Sequence, residues 1–204
     1  MNKEHWRQLM VAFRIADGMN TFDALVSAYS EKHRHYHTAR HIDDCLNKLD
    51  AARPLAQSPE EVEIALWFHD AVYDPYKSDN EERSAEWARA FLSAGGVEAA
   101  RVVRIAEHIL ATKHQVDAVH PDAQLLVDID LSILGANESD YGTFEKNVRE
   151  EYKWVPAMVF RKKRAEILHS FLDRPRIYNT SFFRDRYERQ ARVNLAAAIA
   201  LLSG

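Results

Sequence analysis

Three segments of this chain carry side chains that could grip a metal ion or move a proton. The first is Ala65-Leu66-Trp67-Phe68-His69-Asp70-Ala71-Val72-Tyr73-Asp74, where His69-Asp70 directly follows an apolar helical run. Adjacent helix residues point about 100° apart, so the pair can serve one ion only near a helix end or beside a cleft. A carboxylate buried there needs a cation or several donors. The second segment is Tyr36-His37-Thr38-Ala39-Arg40-His41-Ile42. His37 and His41 are four apart and share a helix face, which suits two imidazoles on one metal, or one ligand and one substrate contact. The third runs from Leu125 to Gly135 and places Asp128 and Asp130 in an otherwise apolar helix. Being two apart, they point about 200° away from each other. One is therefore expected to ligate, and the other to bind backbone or basic side chains.

Each segment alone has an ordinary structural explanation: a capping Asp beside an exposed His, a wet helix start, a pair of structural acids. Their combination is more specific. The order His, then His-Asp, then Asp in a helical chain resembles the HD superfamily of metal-dependent phosphohydrolases, over roughly residues 30–135. It is most similar to a small bacterial group of HD phosphohydrolases, through residues 36–42, 69–74 and 128–135. Tyr152, Val155-Pro156, Phe160, Arg164 and Phe171-Leu172 also resemble that group. The resemblance implies a divalent metal held by His41, His69, Asp70 and Asp130, with His37 the rival to His41. Asp130 fits the register better than Asp128 because a short apolar run follows it.

Two imidazoles and two carboxylates suit Mn²⁺ or another transition ion better than Mg²⁺, with Zn²⁺ also open. Such an ion polarises a phosphoryl centre and lowers the pKa of bound water. In the resembling families an acid just after the His-Asp pair orients water or shuttles a proton. Asp74 is the first candidate for that role, and Glu81 the next, although acids in a first helical turn need no special explanation. His108 and His114 are six apart, about 240° around a helix. That spacing fits a two-metal arrangement poorly, so one metal is expected. Lys113 or His114, at a helix end, is expected to contact phosphate, as is His37. Arg164 falls on the apolar repeat of Phe160, Ile167, Leu168 and Phe171, so it should meet a carboxylate or a phosphate, with Asp128 as one candidate partner. His5, His33, His120 and His169 are assigned no role.

The elements that must position these residues are helices. Apolar residues recur at three- and four-residue spacing nearly throughout. Helices are expected around Trp6–Phe13 and Phe22–Tyr29, over 38–52, and from Ser58-Pro59-Glu60-Glu61 through His69-Asp70 to Asp74-Pro75. The Ser58 start has Pro in the first turn and Glu61 three residues on, the pattern of a capping box. Further helices are expected from Asp79 to Gly95-Gly96, over 97–112, from Pro121-Asp122 to Gly135, and over 139–152, 156–172 and 182–202. The expectation is an all-α, single-domain HD-type bundle of nine or ten helices, with its metal-binding core at about 30–135 and a C-terminal helical extension at about 138–204.

Bulk composition narrows the function classes. The 204 residues carry 27 Lys and Arg against 31 Asp and Glu, a net charge of −4. That mild acidity argues against a nucleic-acid polymer as partner, which would want a basic face. A small phosphorylated substrate remains compatible. One cysteine, Cys45, allows no intrachain disulfide, and a reducing, cytoplasmic setting is expected. The first residues do not read as a signal peptide, and no run of about 18 apolar residues suggests a membrane span. The apolar C-terminal helix could pack internally or against a second copy. The expected activity is metal-dependent hydrolysis of a phosphate ester, a nucleotide or another small metabolite. The alternatives are a non-catalytic metal- or nucleotide-binding regulator on the same fold, and a two-iron oxygenase, which would need more histidines in register.

Overall fold

The computed structural model of the chain describes residues 1–114 and 118–203, and among these it contains helices and no strand. The protein is all-α, as the periodicity predicts. The chain divides into two compact units, Met1–Val127 and Asp128–Gly204.

In the first unit, α1 (Lys3–Phe13), α2 (Met19–Ala28), α3 (Ala39–Ala52), α4 (Pro59–Phe68), α5 (Asn80–Ala94) and α6 (Ala99–Ala111) precede α7, Pro121–Asp130, which begins in this unit and ends in the next. The organising element is α4. Val62, Ile64, Ala65, Leu66, Trp67 and Phe68 are all buried. A helix apolar on every face must be enclosed, and α1, α3, α5 and α6 all pack against α4. Trp6 of α1 meets Trp67 edge-on at 5.2 Å and stacks on Phe91 of α5 at 5.8 Å. Its indole N–H donates to Gly18 O. A Cβ at Gly18 would lie 2.5 Å from Met10 Sδ, so a larger residue there would need the Met10 side chain to shift.

The start of α4 differs from the expected capping box. Ser58 makes no side-chain cap. Instead the Asp122 carboxylate accepts Gln57 N–H at 2.7 Å and Ser58 N–H at 2.8 Å. Glu61 turns away to bind Arg101 and Arg104. A long-range carboxylate thus does what the local pattern was expected to do. The far end of α4 also differs. The helix stops at Phe68, well before Asp74-Pro75, and Ala71 N–H donates back to Phe68 O. His69 and Asp70 therefore stand at a helix terminus, the position from which neighbours in sequence can face one ion.

The second unit contains the 3₁₀ turn Leu131–Gly135, α8 (Glu138–Glu151), α9 (Ala157–Leu172), a short α10 (Ser181–Phe183) and α11 (Arg189–Ser203). The single helix expected over 182–202 is interrupted by a π-helical stretch, Arg184–Glu188. The interruption leaves Glu188 able to accept from Ile177 N–H and Tyr178 N–H. Asn194 of α11 donates to Leu134 O and Ala136 O, both at 2.8 Å, satisfying carbonyls at the end of the 3₁₀ turn. Gly135 is pressed against Tyr187, where a Cβ would lie 2.6 Å from a backbone oxygen. No helix among the described residues is long and apolar enough to cross a membrane.

Candidate metal centre

The centre of interest lies in the first unit, where α3 and the C-terminal end of α4 bring His41, His69 and Asp70 together. His41 Nε2 and His69 Nε2 are 3.1 Å apart. Asp70 Oδ2 is 3.2 Å from His69 Nε2 and 3.6 Å from His41 Nε2. Two ligands about 2.1 Å from one ion, and roughly at right angles about it, would be separated by about 3 Å. The donor set and the spacing therefore fit a single divalent ion. His69 is fixed for that task, because its Nδ1 lies 2.8 Å from Leu66 O. Donation from Nδ1–H to this carbonyl leaves the Nε2 lone pair available.

Sequence reasoning missed two members of this region. Cys45 lies one helical turn after His41, and its Sγ is 3.7 Å from His41 Nε2. Ligand atoms of His41, Cys45 and His69 lie within 4.8 Å of one another, a grouping that could hold a metal ion. The i, i+4 spacing of His41 and Cys45 was the available signal. The other is Arg34, 5% exposed. Its guanidinium donates to Asp70 O at 2.6 Å, Ala71 O at 3.0 Å and His37 O at 3.2 Å, and its Nε donates to Glu31. Arg34 thus ties the loop before α3 to the turn after α4. His33 bonds Tyr73 O, and Tyr29 donates its hydroxyl to Trp67 O. Nothing in the run His33-Arg34-His35 marks the middle residue as this buried tie.

The electrostatics favour an anionic Asp70. Burial alone would raise its pKa, but the neighbouring His69, His37 and His41 outweigh burial and hold it well below the usual carboxylate range. Glu81 behaves differently. Burial pushes its pKa up, and the nearby charge of Asp70 adds to that. A carboxylate and a more proton-retentive carboxyl thus sit within electrostatic reach of each other.

The remaining expected residues fall as follows. The His37 ring stacks on Tyr73 with centroids 4.3 Å apart, at 6.2 Å from His41. Asp74 Oδ1 accepts Tyr76 N–H at 2.9 Å, and Asn80 bonds the Asp74 backbone at both N–H and C=O. Asp74 therefore shapes the turn that leads into α5. Lys113 pairs with Glu82 and donates to Ser78 O. His114 follows at the end of α6 with φ 55°. Trp67 is fully buried in the core, whereas Tyr76 is 67% exposed.

In the second unit, Asp128 is fully buried and accepts from Asn179 N–H (2.7 Å), Asn179 Nδ2 (3.1 Å), Thr180 N–H (2.7 Å) and Thr180 Oγ1 (2.8 Å). This is the backbone-binding role expected of one of the two aspartates. Asp130 is the last residue of α7. Arg164 does find a carboxylate, but it is Glu145 (2.7 and 3.1 Å) and not Asp128. The four donors already on Asp128 leave an arginine no need to approach it. The Glu145 ion pair is completed by the Tyr141 hydroxyl and by Phe144 beneath the guanidinium.

No protein-family model, curated protein or solved structure matches this chain.

Proposed function

We propose that this chain is a metal-dependent phosphohydrolase acting on a small phosphorylated molecule such as a nucleotide. The observation that carries the reading is the 3.1 Å approach of His41 Nε2 and His69 Nε2 beside the Asp70 carboxylate. In this reading His41, His69 and Asp70, all from the first unit, hold the ion. The bound ion, Mn²⁺ or another transition metal, would supply Lewis acidity and a water of lowered pKa.

The chain's own residues do the rest. Leu66 O and the Nδ1 of His69 set the ring tautomer. Arg34 holds the Asp70 main chain in place and so orients its carboxylate. Glu81, with its raised pKa, takes and returns a proton at its carboxyl oxygen, and Asp74 keeps the preceding turn in shape. His37, Lys113 and His114 supply the cationic and hydrogen-bonding contacts to phosphate. The Arg164 charge is already answered by Glu145, so this reading gives it a structural role.

The test is phosphate release from p-nitrophenyl phosphate and a panel of nucleotides, with Mn²⁺ added to stripped protein. The expected result is metal-dependent turnover that falls at least about 100-fold in His69→Ala while the fold is retained. Turnover unchanged in that variant would remove the assignment.

A further inference from the structure

At the opposite end of α4 from His69 lies a second group of ligand-type side chains, His108, His120 and Asp122. We propose that these three residues form a separate structural site for a divalent transition ion of the zinc class. One ligand atom from each lies within 4.8 Å of the others. All three belong to the first unit, and Asp122 binds Gln57 and Ser58 immediately before α4. Ten residues of α4, about 15 Å of helix, separate this group from His69.

The second observation is His108 itself. It is 1% exposed, and neither of its ring nitrogens has a hydrogen-bond partner among the described residues. A neutral imidazole carries one donor and one acceptor, and burying both without partners is costly. Its ring faces His120, with centroids 5.0 Å apart. A cation between the two rings and Asp122 would use the orphaned lone pair directly. Two imidazole nitrogens and one carboxylate oxygen are a common zinc donor set, with a fourth position for water.

The surroundings allow a positive ion. Arg104 is a fixed cation that acts on His108, and both oxygens of Glu61 already hold it. The Asp122 oxygens each accept one backbone N–H and keep a further lone pair. One adjustment is required. His120 Nδ1 accepts the Asp122 N–H at 3.1 Å. Coordination through either nitrogen of that ring ends this bond, by displacing the N–H or by moving the ring proton to Nδ1. Asp122 N–H is in the first turn of α7, where no partner within the helix replaces that bond, so its loss is the cost of coordination. Beyond that hydrogen bond and tautomer shift no bond is exchanged, and no net proton is lost, because neutral imidazoles and a carboxylate donate lone pairs only. The ion would pin α6, the start of α7 and the N-terminus of α4 to one another.

The experiment strips the full chain with a chelator and titrates it with Co²⁺, read by visible absorption and by metal content after desalting. His120→Ala is the main variant, since the ring is not fully buried and can be removed with the fold intact, checked by thermal unfolding of the stripped proteins. The expected result is that His120→Ala binds one ion fewer than the wild type, and that Zn²⁺ raises the Tm of the wild type more than that of His120→Ala. In a His69→Ala background one ion should remain, and His69→Ala/His120→Ala should bind none. Equal stoichiometry with and without His120 in that background overturns the proposal, and shows that only water serves His108. The His69→Ala arm separates the two sites: wild type and His69→Ala binding equally would contradict the phosphohydrolase centre and leave this one standing.

Discussion

Asp128 and Asp70 are both largely withdrawn from water, and their surroundings differ. Asp128 accepts four hydrogen bonds from Asn179 and Thr180, two of them from main-chain N–H groups. Burial still raises its pKa against those bonds. Asp70 has imidazoles as neighbours, and although burial opposes it, His69, His37 and His41 hold its pKa far down. The Asp128 environment is complete without any added group. The Asp70 environment gathers lone pairs, with two ring nitrogens 3.1 Å apart. Satisfied donors and acceptors mark a structural carboxylate. Converging acceptors mark a place for a cation.

That contrast can be broken most forcefully at Asp128. Asp128→Ala takes the shared acceptor from four part-buried donors, and should lower the unfolding free energy by about 4 kcal/mol in urea titrations. Asp70→Ala, in stripped protein, should change it by less than about 1 kcal/mol. Similar losses in both variants would erase the distinction.

A somewhat smaller effect is expected on acidification. Burial first, then the neighbouring His120, lowers the His108 pKa from 6.5 to about 4. Between these values the unfolded chain binds the proton and the folded chain does not. The stability contributed by neutral His108 is therefore present above pH 6.5 and lost as pH falls toward 4, by about 3 kcal/mol in total. The loss should shrink in His108→Leu, as measured by the difference in Tm across that window.

Arg34→Met sharpens the comparison further, because Arg34 stabilises the main chain of Asp70 without touching its carboxylate. A loss of about 2 kcal/mol is expected, with ion affinity falling about 10-fold, read by Co²⁺ titration. Lys113→Ala should show the smallest change in stability, with Tm essentially unmoved, since its partner Glu82 is exposed. Its effect should appear instead as a several-fold rise in KM for a phosphate ester.

The helices were legible because their signal is local. Trp6, Leu9, Met10 and Phe13 fall on one face and are buried, as their spacing predicts. The Gly95-Gly96 stop closes α5, with Gly96 at φ 75°. Long-range polar bonds were not legible. Asp122 reaches Gln57 and Ser58 across more than 60 residues, and so displaces the capping box that Ser58 and Glu61 suggest. His120 looked like a lone surface histidine because its partner His108 is on another helix. The approach of His41 and His69 follows the motif order, whereas Cys45 was hidden by its usual reading as a small apolar core residue.

The central claim is that α3 and the end of α4 build one cation site. Its most direct test is metal content per chain, measured after chelator stripping, Mn²⁺ or Co²⁺ reloading and desalting, for wild type, His69→Ala and Asp70→Asn. The account predicts that each substitution removes the same single ion while the Tm of the stripped protein stays within a few degrees of wild type. Wild-type ion content in both variants, with the fold intact, would contradict it.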